Sequence, residues 1–273
     1  MGLATILEKR ALYHEYASAY SSDFAIVAAV ISLVLLPLAK FNINVFEIGL
    51  VYILSLLSTA GYLLTARTYK HGNISVTSAT YSSMPIFFTV ILAFIFLGEK
   101  LTIIQYASIL VMIVTTYILL FVNAKGSKSN FDTKNYAYIV IIVSVINGVS
   151  AIVLKYLLYS VNPFTALILL QVFSAINFTI YMQVRYGGIR ELIKNFKNNK
   201  VVLVRQGILT VSYRATYYFA ASLVAISLVV PLRNTIYVII TVMSGGIVFK
   251  ESNIKRKIIL SMVLIAAAYF LVA

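Results

Sequence analysis

SATYSSMPIFFTVILAFIFLGEKLTIIQYASILVMIVTTYILLF, residues Ser78 to Phe121, holds two long apolar runs broken only by Gly98-Glu99-Lys100. Each run is about 20 residues, the length a helix needs to cross about 30 Å of hydrocarbon at about 1.5 Å per residue. The direct reading is a helical hairpin that crosses a membrane twice.

The rest of the chain has the same character. Of its 273 residues, 61% are apolar and 11% charged, against roughly 45–50% and 25% in soluble domains. A polytopic membrane protein fits this balance. Backbone groups in lipid must be satisfied inside the element, so the spans are expected to be helices. The alternation of a β-barrel is absent. Spans are expected at about 24–39, 46–66, 75–97, 102–122, 136–158, 163–184, 201–220, 227–249 and 256–272. The hydrophilic stretches 123–135 and 185–200 are too short for a soluble domain.

The net charge of +14 would suggest nucleic acid in a soluble protein. Here it is explained by loop cations that orient the spans, with no nucleic-acid partner expected. Lys9, Arg10, Arg67, Lys70, Lys125, Lys128, Lys134 and the basic residues of 185–200 and 250–257 fall on one side. Lys40, Lys100 and Lys155 fall on the other. The positive-inside rule puts the first side in the cytoplasm and the C-terminal Ala273 outside. There is no cysteine, and His14 and His71 near span ends cannot build a metal cluster by themselves, so no metal site or cofactor is expected. No P-loop, His-Glu-x-x-His, nucleophile triad or dinucleotide loop occurs, so neither an enzyme nor a primary pump is expected.

A proline in the first third of a span, an apolar run, Leu-Gly-Glu, Leu-Thr and then Gln form an ordered pattern. Pro85, Leu97-Gly98-Glu99, Leu101-Thr102 and Gln105 carry it, and it resembles the EamA-type repeat of the drug/metabolite transporter superfamily. The resemblance implies a carrier whose ten-span members usually have cytoplasmic termini, unlike the orientation expected from charge. An internal match supports it. Pro85 to Glu99 has the length of Tyr237 to Glu251, pairing Leu-Gly-Glu with Phe249-Lys250-Glu251, Tyr81 with Arg233 and Tyr62 with Arg214. The expected domains are a first EamA-like repeat, residues 1–124, and a second, residues 134–273. An odd number of spans per repeat makes the copies inverted, a common build for carriers with a midplane site. In a second register Gly2 to Lys9 resembles Gly148 to Lys155, and Tyr13 pairs with Tyr159. Gly148 lies midway along its span, so 1–13 reads as the second half of a span. The alternative is a short amphipathic helix. The expected fold is an all-α inverted-repeat bundle of ten transmembrane helices, the first truncated, with nine full spans.

Arg214 and Arg233 are the most pointed candidates for chemistry. Intramembrane cations are costly unless paired or wet. Both lie nine or ten residues from a turn near Leu223, and no acidic residue is expected in the middle of a span. An anionic or carboxylate-bearing solute would neutralise them; the alternative is snorkelling. Pro85 and Pro231 interrupt helical hydrogen bonding and can line cavities, or simply kink the helix for packing. Tyr237 stands where the family has its second proline. Tyr62, Tyr81, Tyr213, Tyr217 and Tyr218 fall on corresponding spans and offer rings and hydroxyls, though tyrosines also form interface belts. Asn147, Gln171 and Asn177 read as interhelical hydrogen-bond formers, and Gly61, Gly245 and Gly246 as close-contact positions. The basic run Arg185 to Lys200 could meet anionic lipid heads. The expected substrate-binding set is Tyr62, Tyr81, Pro85, Arg214, Tyr217, Pro231 and Arg233.

The expected function is a secondary carrier in the cell membrane that moves a small-molecule substrate by alternating access. Exchange or facilitated flux is expected over a carboxylate proton relay. The alternative is a membrane scaffold, receptor or lipid-modifying protein without transport.

Overall fold

The computed structural model describes residues 2–12, 17–71, 74–124, 133–186, 190–247 and 254–272. These form ten α-helices: α1 Gly2–Leu12, α2 Ala17–Ser32, α3 Val45–His71, α4 Ile74–Leu92, α5 Ile103–Ala124, α6 Thr133–Leu157, α7 Pro163–Tyr186, α8 Arg190–Leu223, α9 Ile226–Ile247 and α10 Ile254–Val272. A 3₁₀ turn, Leu33–Leu38, extends α2, and a π turn, Ala93–Leu97, extends α4. No strand occurs among the described residues.

Among the described residues, four stretches are long and apolar enough to cross a membrane: Ser18–Leu38, Val45–Ala66, Pro163–Arg185 and Ile226–Ser244. Shorter apolar stretches lie at Met84–Leu97, Ile103–Thr115, Ile141–Leu157 and Ile258–Leu271. Large apolar side chains face outward along these helices. Ile103 is 88% exposed, Val45 87% and Val184 81%, a surface that suits hydrocarbon and not water.

Two compact units mix the two sequence halves. The first holds Leu3–Lys70 with Val153–Leu223, the second His71–Ile152 with Val224–Ala273. In the first, α2 packs on α7 and α8, and α7 packs on α8. Gly207 permits the α2–α8 approach, since a Cβ there would lie 2.6 Å from Cδ1 of Ile31. In the second unit, α4 packs on α5 and α9, and α10 on α5 and α9. Ile86, Val90, Ile109, Met112, Val238, Val242, Leu264, Ala267 and Leu271 form its aliphatic core.

Several boundaries differ from the sequence expectation. The first full span begins at Ala17, which places Asp23 inside a helix and 3% exposed. Small Ala and Ser residues there allow tight packing, so hydropathy alone starts the span late. The basic stretch before 201 is helical from Arg190, continuous with α8. A helix whose far end is packed can extend into polar sequence, because its backbone bonds are local. Lys155, expected at the outer side of the membrane, is 5% exposed. Its Nζ donates to the Ala221 carbonyl at 2.8 Å and lies 5.2 Å from the Tyr159 ring centroid. A cation at the negative C-terminal end of α8 is favourably placed. Phe249, Lys250 and Glu251, and the histidine His14 with Tyr13, lie outside the described residues.

Candidate functional site

In the first unit α8 supplies two polar levels. Gln206 and Arg214 are eight residues apart, about 12 Å along the axis. At the lower level Gln206 is 1% exposed. The Tyr20 hydroxyl donates to its Oε1. Its Nε2 approaches the Glu8 Oε2 at 3.5 Å and the Tyr62 hydroxyl at 3.4 Å. The Tyr62 hydroxyl also lies beside the Glu8 carboxylate. Four helices thus converge: α1 through Glu8, α2 through Tyr20, α3 through Tyr62 and α8 through Gln206. The Tyr62 ring stacks on Phe24 with centroids 5.4 Å apart and meets Phe178 edge-on at 6.1 Å. Aromatic contacts of this kind fix the ring that carries the hydroxyl.

At the upper level the half-buried Arg214 donates from Nη1 to Gln171 Oε1 at 2.7 Å. That bond turns the Gln171 carbonyl to the guanidinium and leaves its Nε2, buried, without a partner. Ser174, one turn further on the same face of α7, also has a buried hydroxyl without a partner. Buried polar groups normally find one. Gln171, bonded to the guanidinium, and Ser174, one turn along α7, therefore offer unused donors suited to an acceptor-rich solute.

The remaining sequence candidates divide between the two units. Tyr217 is in the first, 8% exposed, stacked with Tyr213 at 6.4 Å and edge-on to Tyr218 at 5.7 Å. Its ring packs within α8. Tyr81 and Pro85 on α4, with Pro231 and Arg233 on α9, belong to the second unit, where these two helices pack together. Both prolines are buried within continuous helices. Arg233 donates from Nε to Asn234 Oδ1 at 2.9 Å. Asn177 donates to Ser55 Oγ at 2.9 Å, joining α7 to α3 as expected of a polar group inside a span. Among the described residues no cluster of His, Asp and Glu could hold a metal ion.

Glu8 is what the sequence reading missed. Residues 1–13 read as half a span or an amphipathic helix, and neither reading drew attention to the acid. Yet Glu8 is 4% exposed and Ala4, Thr5 and Ile6 around it are buried. Glu8 lies on α1, outside the candidate spans, and Asp23 near the start of α2, so among the described residues no acidic residue stands at the middle of a candidate span. The available signal was the match of Gly2–Lys9 to Gly148–Lys155, which pairs Glu8 with Leu154, a buried position near the end of α6.

The residues of the ordered motif prove to be helix-end devices. Gly98, at φ +65°, ends the π turn in the left-handed region open to glycine. Glu99 then accepts the Ile226 N–H on Oε1 and the Ser227 N–H on Oε2, both at 2.9 Å. A carboxylate from one hairpin thereby caps the first turn of α9. Thr102 and Gln105 form a capping box at α5: Thr102 N–H donates to Gln105 Oε1 at 3.0 Å, and Gln105 N–H to Thr102 Oγ1 at 3.3 Å.

The family model that contains this motif, described as the EamA-like transporter family, matches residues 1–121. Residues 1–121 are similar in sequence to that family. The EamA family lies within the drug/metabolite transporter superfamily, and its members are membrane transporters, not enzymes. The apolar helices are those of an integral membrane protein. No curated protein matches it significantly. A solved crystal structure at 12% identity superposes with a TM-score of 0.71, covering 99% of this chain and 98% of the other. That likeness is one of fold.

Proposed function

We propose that the protein is a secondary carrier for a small solute bearing an anionic or carboxylate group, bound at Arg214. The carrying observation is the half-buried guanidinium held by Gln171, with the Gln171 amide donor and the Ser174 hydroxyl buried and unpartnered nearby. A carboxylate would accept from all three and supply the charge that Arg214 lacks. The wider reading is a ten-helix bundle of two inverted repeats, residues 1–124 and 134–273, working by alternating access in the cell membrane. The unit boundaries support it. With Pro85 matched to Tyr237, the break after Lys70 falls one residue from the break after Leu223, so each unit draws on matching parts of the two repeats. Tyr81, Pro85, Pro231 and Arg233, which belong to the second unit, are substrate-binding residues in the same reading.

The test is flux of labelled organic anions, amino acids, sugar phosphates and cations into proteoliposomes. The unmodified protein is expected to move an anion-bearing solute, and Arg214→Gln to slow it at least tenfold. Equal flux in both would discard Arg214 as the anion site and leave the carrier reading standing. Absence of flux for every solute, with folded protein in the vesicles, would count against a carrier.

A further inference from the structure

The lower polar level is built around a carboxylate that is only half satisfied. Gln206 cannot turn freely: its carbonyl accepts from Tyr20, which directs its amide donors at Glu8 and Tyr62. Those donors and the Tyr62 hydroxyl serve one side of Glu8. Its Oε1, though buried, has no hydrogen-bond partner. Neutral donors ease a buried charge but do not cancel it, and among the residues whose side chains are described no cation pairs with Glu8.

The cation on the same helix is held elsewhere. Arg214 is pinned at Gln171 by its 2.7 Å bond, about 12 Å further along α8 from Gln206. A direct ion pair would quench both charges; here Arg214 is held at Gln171, and Glu8 Oε1 is buried without a partner. Phe24, Tyr62 and Phe178 give the lower level an apolar wall.

We propose that Glu8 and Arg214 are the two poles of one binding site, which takes a solute carrying a protonated amine and an acidic group several bonds apart. The proposal rests on Arg214 as the anion site of the proposed function and adds its opposite pole. The ammonium donates to the open Glu8 Oε1, the acid accepts from Arg214, Gln171 and Ser174, and a methylene spacer lies along the aromatic wall. A solute with both charges on one carbon reaches one pole and leaves the other unpaired.

The test uses the purified full-length protein and thermal unfolding with added solute, so it does not depend on transport. The probes are ω-aminohexanoate, hexanoate, hexylamine and glycine. The expected order puts ω-aminohexanoate first, binding at least tenfold more tightly than hexanoate, hexylamine or glycine. Glu8→Gln is expected to bring ω-aminohexanoate down to the affinity of hexanoate and to leave hexanoate unchanged. Arg214→Gln is expected to bring it down to that of hexylamine. Equal binding of hexanoate and ω-aminohexanoate would overturn the amine pole while sparing the anion site. Glycine binding as tightly as ω-aminohexanoate would overturn the spaced pair. No binding by any acid, with Arg214→Gln silent, would remove the anion site and this inference with it. The ligand series on the unmodified protein decides the matter even if a variant fails to fold.

Discussion

Gln206 in the first unit and Thr89 in the second are both almost wholly buried, at 1% and 0% exposed. Gln206 is tied to Tyr20, Glu8 and Tyr62 on three other helices. The Thr89 hydroxyl has no partner and sits beside an aliphatic core of Ile86, Val90 and Met112. The contrast extends across the units. The first buries Glu8, Asp23, Lys155, Gln171, Asn177 and Gln206; in the second the described buried polar residues are Ser and Thr, with Asn234. Lipid gives no hydrophobic drive between helices, so close packing holds the second unit. In the first, amide and charged groups select partners, and the unused valences collect around Arg214 and Glu8.

Three substitutions test that difference, beginning with the largest expected effect. Met112, 0% exposed in the aliphatic core, is filled on all sides. Met112→Ala should cost about 2–5 kcal/mol of stability through lost contacts and a cavity, read by thermal or denaturant unfolding in detergent. Solute affinity should hold in the surviving folded fraction. An unfolding curve that does not move would mean that this core is not closely packed.

Gln206→Leu comes next. It strands the Tyr20 hydroxyl and removes a donor from Glu8, at a cost of about 1–3 kcal/mol. Solute binding should fall with stability, because the same amide orients the Glu8 pole. A stability loss with unaltered binding would separate the network from the site. Thr89→Val is the smallest. It replaces an unpartnered hydroxyl with a methyl of similar shape, so stability should stay within about 0.5 kcal/mol or rise. A loss beyond about 2 kcal/mol would show that the hydroxyl does have a partner in the membrane, and would erase the contrast with Gln206.

Much of the fold was legible along the chain. The hairpin of 78–121 appears as α4, its π turn and α5, with Gly98 at the break. The motif residues Glu99, Thr102 and Gln105 were visible as a pattern before their capping geometry was known. Arg214 stood out because a cation inside an apolar run is rare. Glu8 did not, because a short helix with a basic flank looks like many solvated ones. Gln171 was read as a helix-bridging amide, which it is, but its free donor could not be seen. Tyr62 was chosen among many tyrosines; its link to Gln206 and Glu8 had no mark in the sequence.

The sequence by itself determined that this is a helical membrane protein whose residues 1–121 resemble the EamA-like family, and where its polar breaks fall. Those properties are local: run length, helix caps and the cost of charge in hydrocarbon act within a few turns. Only the tertiary structure decided that Glu8, Tyr20, Tyr62 and Gln206 meet, and that Arg214 is held apart from them by Gln171. The Gln206–Glu8 contact joins residues 198 positions apart. Such a meeting depends on how each helix is rotated and how far it slides. Rotation and sliding are set by side-chain packing between helices, as where Gly207 lets α2 approach α8, and no single segment encodes them.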